Sequence, residues 1–225
     1  PSINVMNEDG SMNEKTPKSF WGMDRFEARK QVVKRLKEAK LLVEIKPYRH
    51  TVPCSERSKS LIEPRLSKQW FVKMKELARP AIKYAKKDEI TFHPESHKKV
   101  YLHWLENIED WCISRQLWWG HQIPIWYCKD CNKTSTGLED LTSCQHCGSK
   151  NIHRDPDVLD TWFSSWLWPL SPFGWPADSP EQKYFFPSNV LITGAEIIFL
   201  WVARMIMVSH YLKGELPFKD VYFNA

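Results

Sequence analysis

The sequence has 225 residues, 42% of them hydrophobic and 26% charged, which excludes a wholly disordered chain and fits one large or two small globular domains. Its apolar runs are shorter than the roughly 18 residues of a membrane helix, and its start lacks a signal-peptide pattern, so neither is predicted. Residues 1–100 hold 23 Lys and Arg against 13 Asp and Glu, whereas residues 101–225 hold 9 against 14. This basic first part favours either a polyanionic partner or a solvated lysine-rich helix face.

The first half of the chain is mainly helical in pattern. Asp24 is a suitable N-cap with Glu27 three residues later, and apolar residues then recur at helical spacing. Pro80 stands inside a second helical pattern, which it is expected to kink or break. The predicted elements are a helix over 24–40, a strand over 41–45, a helix over 69–86, a strand over 90–93 and an amphipathic helix over 96–111. The positions predicted to be buried in the last helix are Val100, Leu102, Leu105 and Ile108.

The last part of the chain has a strand–helix–strand pattern. A short apolar strand over 189–193 meets Gly194, a long apolar helix follows to about residue 213, and a second strand covers 219–223. Such a unit is typical of a parallel α/β sheet, in which ligands bind beyond the carboxyl ends of the strands. Thr193, Gly194 and Glu196 are therefore candidate ligand-binding residues, with an ordinary strand-to-helix turn as the alternative.

Four of the six cysteines are arranged in two pairs. Cys128 and Cys131, then Cys144 and Cys147, form the pattern C-x2-C-x12-C-x2-C. Two pairs at this spacing supply the four thiolates of a closed tetrahedral Zn²⁺ site, which is structural because no coordination position stays open. Two disulfides are the alternative, and they are disfavoured in a lysine-rich chain without a secretory signal. A zinc ribbon is therefore predicted over 126–153.

Several long motifs carry a family resemblance. The segments DWCISRQLWWGHQIP at 110–124 and DVLDTWFSSWLWP at 157–169 resemble the catalytic core of class I aminoacyl-tRNA synthetases, and DTWFSS is similar to the valyl branch of that family. Further matching segments are GMDRFEARK at 22–30, EPRLSKQWFVKM at 63–74, VLITGAEIIFLWVARMIM at 190–207 and PFKDVY at 217–222. The resemblance covers essentially the whole chain.

This resemblance implies an α/β fold. The chain is interpreted as part of a class I Rossmann-type catalytic domain, with parallel strands and helices, plus an inserted zinc ribbon and the C-terminal edge of an editing domain. The implied parts are 1–47 of the editing domain, a connection over 48–110, and the second half of the catalytic domain over 111–225. The HIGH and KMSKS signatures and the editing motif of the family do not occur in the sequence. We therefore expect an internal fragment that is inactive alone and carries no catalytic residue.

The resemblance also implies roles for individual residues. The implied substrate-binding residues are Trp162, Ile197 and Trp201, and the implied adenylate-binding residues are Thr193, Gly194 and Glu196. Flat, stiff indoles define a small apolar slot, although core packing is their alternative role. A glycine at 194 lets a ligand approach the backbone closely. Glu196 stands where valyl enzymes usually have an aspartate that contacts the ribose.

The activity implied for the intact enzyme is activation of valine with ATP and Mg²⁺, followed by transfer of valine to tRNA(Val). The implied protein is a cytoplasmic monomer that contains structural Zn²⁺ and does not bind a membrane. Two alternatives stay open: a fragment of an isoleucyl enzyme, and a stand-alone zinc-ribbon module that binds RNA by charge and tryptophan stacking.

Structural rather than functional roles are predicted for three arginines. Arg57 stands where some relatives have the second cysteine of a further metal-binding pair, so no metal is predicted beside Cys54. Arg115 and Arg204 are predicted to form structural salt bridges, with contacts to RNA or to carboxylates as the alternative.

Overall fold

The computed structural model describes residues 2–56 and 58–224. The chain divides into two compact units, Pro1–Lys68 and Gln69–Ala225. Arg57, on which the predicted absence of a second metal-binding pair rests, lies outside the described residues. The division into editing, connecting and catalytic parts stays a prediction.

The helices and strands are short and lie mostly in the second unit. The α-helices of the described residues are α1 (Arg25–Glu38), α2 (Met74–Lys86), α3 (Ser96–Glu106), α4 (Thr161–Ser165), α5 (Pro180–Phe185) and α6 (Ala203–Lys213). Their strands are β1 (Phe71–Val72), β2 (Thr91–His93), β3 (Trp111–Cys112), β4 (Ser114–Arg115), β5 (Ile125–Cys128), β6 (Thr134–Thr136), β7 (Ile152–Arg154), β8 (Val158–Leu159), β9 (Val190–Gly194) and β10 (Asp220–Asn224).

In the first unit, α1 confirms the helix predicted over 24–40. The Asp24 side chain accepts a hydrogen bond from the Phe26 N–H, which satisfies one of the free donors of the first helical turn. Ala28 is the buried residue of the helix. The apolar side chains of Val32 and Leu36 are exposed in this unit.

The strand predicted over 41–45 is wrong. Lys40 takes a left-handed conformation with φ 57°, which ends the helix, and the following residues run as irregular chain. Val43 is 99% exposed. Aliphatic residues form a strand when a neighbouring strand pairs with them and a core covers one face, and the described residues of this unit supply no such partner to 41–45.

The second unit is built around a three-stranded parallel sheet. Its strand order is β2–β10–β9, and Val221 in the central strand lies opposite Phe92 on one side and Leu191 on the other. The predicted strand–helix–strand unit is therefore confirmed, as is the α/β class. The sheet and the helices α2, α3 and α6 share one core, which includes Met74, Ala81, Phe92, Tyr101, Leu105, Met205, Ile206 and Val221.

Two predicted helices are shorter in the structure. α2 begins at Met74 because the two residues of β1 pair with β3, and it continues through Pro80 as one helix rather than breaking there. α3 ends at Glu106 because the residues near 111 belong to β3. The buried residues in and just after α3 are Tyr101, Leu105 and Ile108, whereas Val100 is exposed and Leu102 is half-buried.

The apolar segment after β9 is helical throughout, but in three forms. A 3₁₀ turn covers Ala195–Ile197, a π-helical turn covers Ile198–Val202, and α6 follows. Gly214, with φ 78°, ends the helix, in agreement with the prediction. Ala195–Lys213 is long and apolar enough to cross a membrane, but most of α6 is buried within the protein core, so it packs as the central helix of the unit.

Two antiparallel sheets complete the second unit. The ribbon sheet has the order β6–β5–β7, with Trp126 opposite Ser135 and Arg154. In the other sheet, Ser114 of β4 lies opposite Leu159 of β8. This pairing joins the 110–124 motif to the 157–169 motif just before α4 begins.

Candidate functional site

The four paired cysteines lie together in the ribbon. The Sγ atoms of Cys128 and Cys147 are 3.6 Å apart, as are those of Cys131 and Cys144, and all four lie within 4.8 Å of one another. A tetrahedral ion with metal–sulfur bonds of about 2.3 Å places its sulfurs about 3.8 Å apart, whereas a disulfide bond is about 2.05 Å long. All four thiols are free. The arrangement therefore fits a metal ion such as Zn²⁺ and not two disulfides.

Backbone donors around the cysteines favour thiolates. The His146 N–H points at the Cys144 sulfur at 3.4 Å, and this contact lowers the pKa of Cys144 to about 6. The Ser149 N–H acts in the same direction on Cys147, but the neighbouring thiols, Cys131 first, and burial raise the pKa of Cys147 to about 12. Because the four thiols lie so close together, ionisation of one disfavours ionisation of the others. A divalent cation offsets this repulsion, and the cysteines that bind it are all deprotonated.

The helix α4 carries Trp162 and is fixed at both ends. At its start, Asp160 Oδ1 accepts the Trp162 N–H at 3.1 Å. At its end, the Ser165 carbonyl accepts a hydrogen bond of 2.9 Å from the Trp201 indole Nε1. The two indoles predicted to wall the pocket thus lie on α4 and on the π-helical turn that packs against it, and both are half-buried.

A cavity of about 670 Å³ opens beside α4. Its lining includes Trp201, Asp160, Ser164, Arg115 and His121, but not the other two residues predicted to form the pocket. One of these is Trp162 and the second is Ile197, which ends the 3₁₀ turn four residues before Trp201. A pocket shared by all three side chains stays a prediction.

The three predicted adenylate-binding residues lie at the carboxyl end of β9. Thr193 is buried, Gly194 is half-buried and Glu196 is exposed. Gly194 has φ −75°, which any residue adopts, so its backbone does not require glycine. The Glu196 carboxylate lies directly over Gly194, where it would clash with a β-carbon. The Glu196 side chain is exposed and flexible and could turn away from such a β-carbon, so close approach of a ligand at Gly194 stays a prediction.

The buried carboxylate of Asp160 anchors α4 and was not among the predicted site residues. Asp160 Oδ2 accepts hydrogen bonds from Arg115 Nη2 at 2.5 Å and from the Trp111 indole at 3.0 Å. The salt bridge predicted for Arg115 is thus confirmed. The one predicted for Arg204 is wrong: its guanidinium lies over the Trp111 ring, 3.5 Å from the centroid, and its Nε and Nη1 have no hydrogen-bond partner among the described residues. An aspartate directly before a helical pattern is an N-cap signal that identifies Asp160.

Comparison with known proteins finds close relatives along the whole chain. It is 55% identical over 223 residues to a valine–tRNA ligase of Clostridium tetani and 50% identical over 225 residues to one of Treponema denticola. These matches cover 99% and 100% of this chain and 25% of each relative. The chain therefore spans about a quarter of the length of the curated relatives it matches.

Solved structures support the fold, and a family model identifies the family. The free methionyl-tRNA synthetase of Mycobacterium tuberculosis matches with a TM-score of 0.52 and 15% identity, over 76% of this chain and 30% of that one. Its methionyl-adenylate complex matches with a TM-score of 0.50 and 16% identity, over 76% and 29%. At such identities these matches support the fold alone. The family model described as tRNA synthetases class I (I, L, M and V) matches residues 7–225, and the chain belongs to that family.

Proposed function

We propose that this chain is part of a valine–tRNA ligase, which activates valine with ATP and Mg²⁺ and transfers it to tRNA(Val). The observation that carries the proposal is the 50–55% identity, over essentially the whole chain, to relatives that bear that name. An isoleucyl enzyme and a stand-alone RNA-binding ribbon are not favoured by these matches. We place the enzyme in the cytoplasm as a monomer.

We assign the walls of the valine pocket to three side chains: Trp162, Ile197 and Trp201. Indoles have few rotatable bonds and present flat apolar surfaces, so they define a slot of fixed width. The hydrogen bond between Trp201 and the Ser165 carbonyl holds one wall of that slot against α4. Burial of the apolar valine side chain in this slot favours binding. A longer side chain would clash with the rigid indole walls.

The adenylate side of the pocket is assigned to Thr193, Gly194 and Glu196. These residues lie at or just after the carboxyl end of β9 in the parallel sheet, where nucleotide ligands bind in such folds. The exposed Glu196 carboxylate is an acceptor for ribose hydroxyls. If that carboxylate turned away from Gly194, which it covers in this structure, the missing β-carbon would let the adenylate approach the backbone. The chain contributes binding and orientation, since no residue in it is assigned a part in proton or phosphoryl transfer.

We assign a structural Zn²⁺ to Cys128, Cys131, Cys144 and Cys147. When bound, the ion would cross-link the loops that flank β6 and so hold the ribbon in one conformation. The four-sulfur ligand set leaves no position for a substrate, which gives the metal no part in the reaction. The last ribbon strand, β7, leads within a few residues to β8 and α4, so an ordered ribbon would help to hold the start of α4 in place.

The assignment can be tested in a full-length synthetase that carries this segment. Amino-acid-dependent exchange of pyrophosphate into ATP should be most efficient, by kcat/KM, with valine. Trp162→Ala should lower kcat/KM for valine at least about tenfold, because it removes an apolar wall worth more than about 1.4 kcal/mol. Trp21→Ala, which truncates a half-exposed indole of the first unit, is the matched control and should leave exchange unchanged.

Two results would overturn the proposal in different ways. A higher kcat/KM for isoleucine, leucine or methionine than for valine would reassign the substrate. Unchanged kinetics in Trp162→Ala, in an enzyme that does prefer valine, would mean that this indole only packs in the core. The 225-residue chain by itself should show no exchange with any amino acid.

A further inference from the structure

We propose that Asp160 is a positioning residue that sets the separation of the Trp162 and Trp201 indoles, and thereby the size of the amino acid accepted. The inference rests on the proposed function, because it concerns the same pocket. Asp160 does not need to touch the substrate in this role. It acts through the placement of α4.

Asp160 is held from several directions. It is only 7% exposed, and a buried carboxylate is stable when it is paired and fully hydrogen-bonded. Arg115 and the Trp111 indole both donate to Oδ2, and the Asp160 N–H donates to the Ile113 carbonyl at 2.7 Å. The remaining oxygen, Oδ1, receives the Trp162 N–H. The position of this carboxylate therefore fixes where α4 begins.

The helix is too short to set its own position. α4 has five residues, and helices of this length do not form without contacts to the rest of a protein. Its start is anchored by Asp160, and its last carbonyl, on Ser165, receives the Trp201 indole. A displacement at Asp160 therefore moves Trp162 directly and Trp201 through the Ser165 carbonyl.

A second connection runs from Asp160 to the helix that carries Trp201. Arg204 follows Trp201 by three residues, is 4% exposed, and lies over the Trp111 ring at 3.5 Å. A guanidinium over an indole face is attracted to it, and the edge of the same indole donates to Asp160. Asp160 is thus connected to Trp201 by two routes, one through α4 and the Ser165 carbonyl and one through Trp111 and Arg204.

Two substitutions separate the connections of Asp160. Asp160→Ser keeps a side chain that caps a helix but removes the contacts to Arg115 and Trp111. Arg115→Gln keeps the cap and removes the ion pair. In the full-length synthetase, each should raise KM for valine and lower the preference for valine over isoleucine, measured as the ratio of kcat/KM in pyrophosphate exchange, about tenfold. The kcat at saturating valine should stay within about threefold of the unmodified enzyme.

The double variant and a matched control sharpen the test. If both residues act through one contact network, the double variant should lose no more preference than the worse single variant, since coupled sites are not additive. Asp157→Asn changes a nearby aspartate that accepts from Gln116 and lies outside α4. It should leave the preference unchanged.

Each outcome decides one question. If the unmodified enzyme does not activate valine, the proposed function fails. If it does, and both variants keep the preference for valine within twofold, the role of Asp160 is refuted. A fall in kcat with an unchanged preference refutes it as well. Should Asp160→Ser fail to fold, as judged by its thermal melt, the preference measured for Arg115→Gln alone supports or refutes the role by the same thresholds.

Discussion

The buried guanidinium of Arg204 is stabilised by an aromatic ring rather than by a salt bridge with an acid. Asp160 is the nearby acid, but Arg115 already pairs with it, and Arg204 lies instead on the face of Trp111. Burial lowers the pKa of Arg204 to about 10, against the opposing effect of Asp160. Arg204 therefore stays charged at neutral pH, and its stabilisation comes from an aromatic ring and a nearby charge rather than from a salt bridge.

Asp155 is a second buried carboxylate, and its environment gives a pH-dependent prediction. Although burial opposes ionisation, hydrogen bonds from the Tyr127 hydroxyl and the Trp70 indole keep the pKa of Asp155 below its ordinary value of 3.8. Because the pKa is lower in the folded state, the stabilisation is complete above pH 3.8 and is lost as the pH falls through the lowered value.

The test is Asp155→Asn in this chain. At pH 7 we expect its free energy of unfolding to fall by about 1–3 kcal/mol, because two half-buried donors lose a charged acceptor. The difference from the unmodified chain should shrink as the pH drops below 3.8. Denaturant melts at several pH values measure this. Asp140→Asn, which alters an exposed carboxylate paired with Arg154, should give a small, constant difference; an equal effect of the two variants would contradict the prediction.

The four-cysteine ribbon gives a prediction about the zinc content of the protein. We expect one zinc ion per chain by elemental analysis. Cys144→Ser should weaken zinc binding at least about tenfold and raise amide hydrogen exchange over 126–153, because the loops lose a shared ligand. Exchange in α1 should not change.

The control for this prediction is Cys54→Ser, since Cys54 is an exposed thiol of the first unit. It should keep both the zinc content and the exchange of the ribbon. A folded, metal-free protein with two disulfides among the four ribbon cysteines would contradict the assignment.

Strong local patterns predicted the elements that depend on them. The cysteine spacing identified the ribbon, and the apolar run between two short strands identified β9, its helix and β10. The strand over 41–45 and the end of α3 failed, because both depend on which segments pair in three dimensions. The π-helical turn was not predicted, because its extra residue per turn follows from packing of the Trp201 segment rather than from any residue pattern.

The site was predicted unevenly for similar reasons. Trp162, Trp201 and Gly194 were assigned by motif resemblance. The position of Gly194 after a predicted strand was a second, independent signal. Asp160 and Trp111 were missed as a pair, since 49 residues separate them and they meet through long-range contacts such as the β4–β8 pairing and the Asp160–Ile113 hydrogen bond. The capping pattern alone would have identified one of the two.

The parallel sheet leaves apolar surface uncovered along β9. β9 is an edge strand, and its Ile192 is 67% exposed. Unpaired edges with apolar side chains favour association with other chains. We therefore predict that the 225-residue chain self-associates at micromolar concentration, and that Ile192→Lys shifts it toward monomer, as measured by size-exclusion chromatography with light scattering.

Leu138→Lys is the matched control, because Leu138 is a fully exposed leucine in the ribbon, away from the sheet. It should leave the association unchanged. A monodisperse monomer of the unmodified chain, or equal effects of the two lysine variants, would contradict a role for the sheet edge.

The order of the sheet strands also determines when, during synthesis, the sheet can form. β10 lies between β2 and β9 but is the last of the three to leave the ribosome. Neither outer strand has its neighbour in this sheet until residues 220–224 have been synthesised. Pairing between segments as far apart in sequence as β2 and β10 is slow, so we expect both outer strands to lack their central partner until late in synthesis.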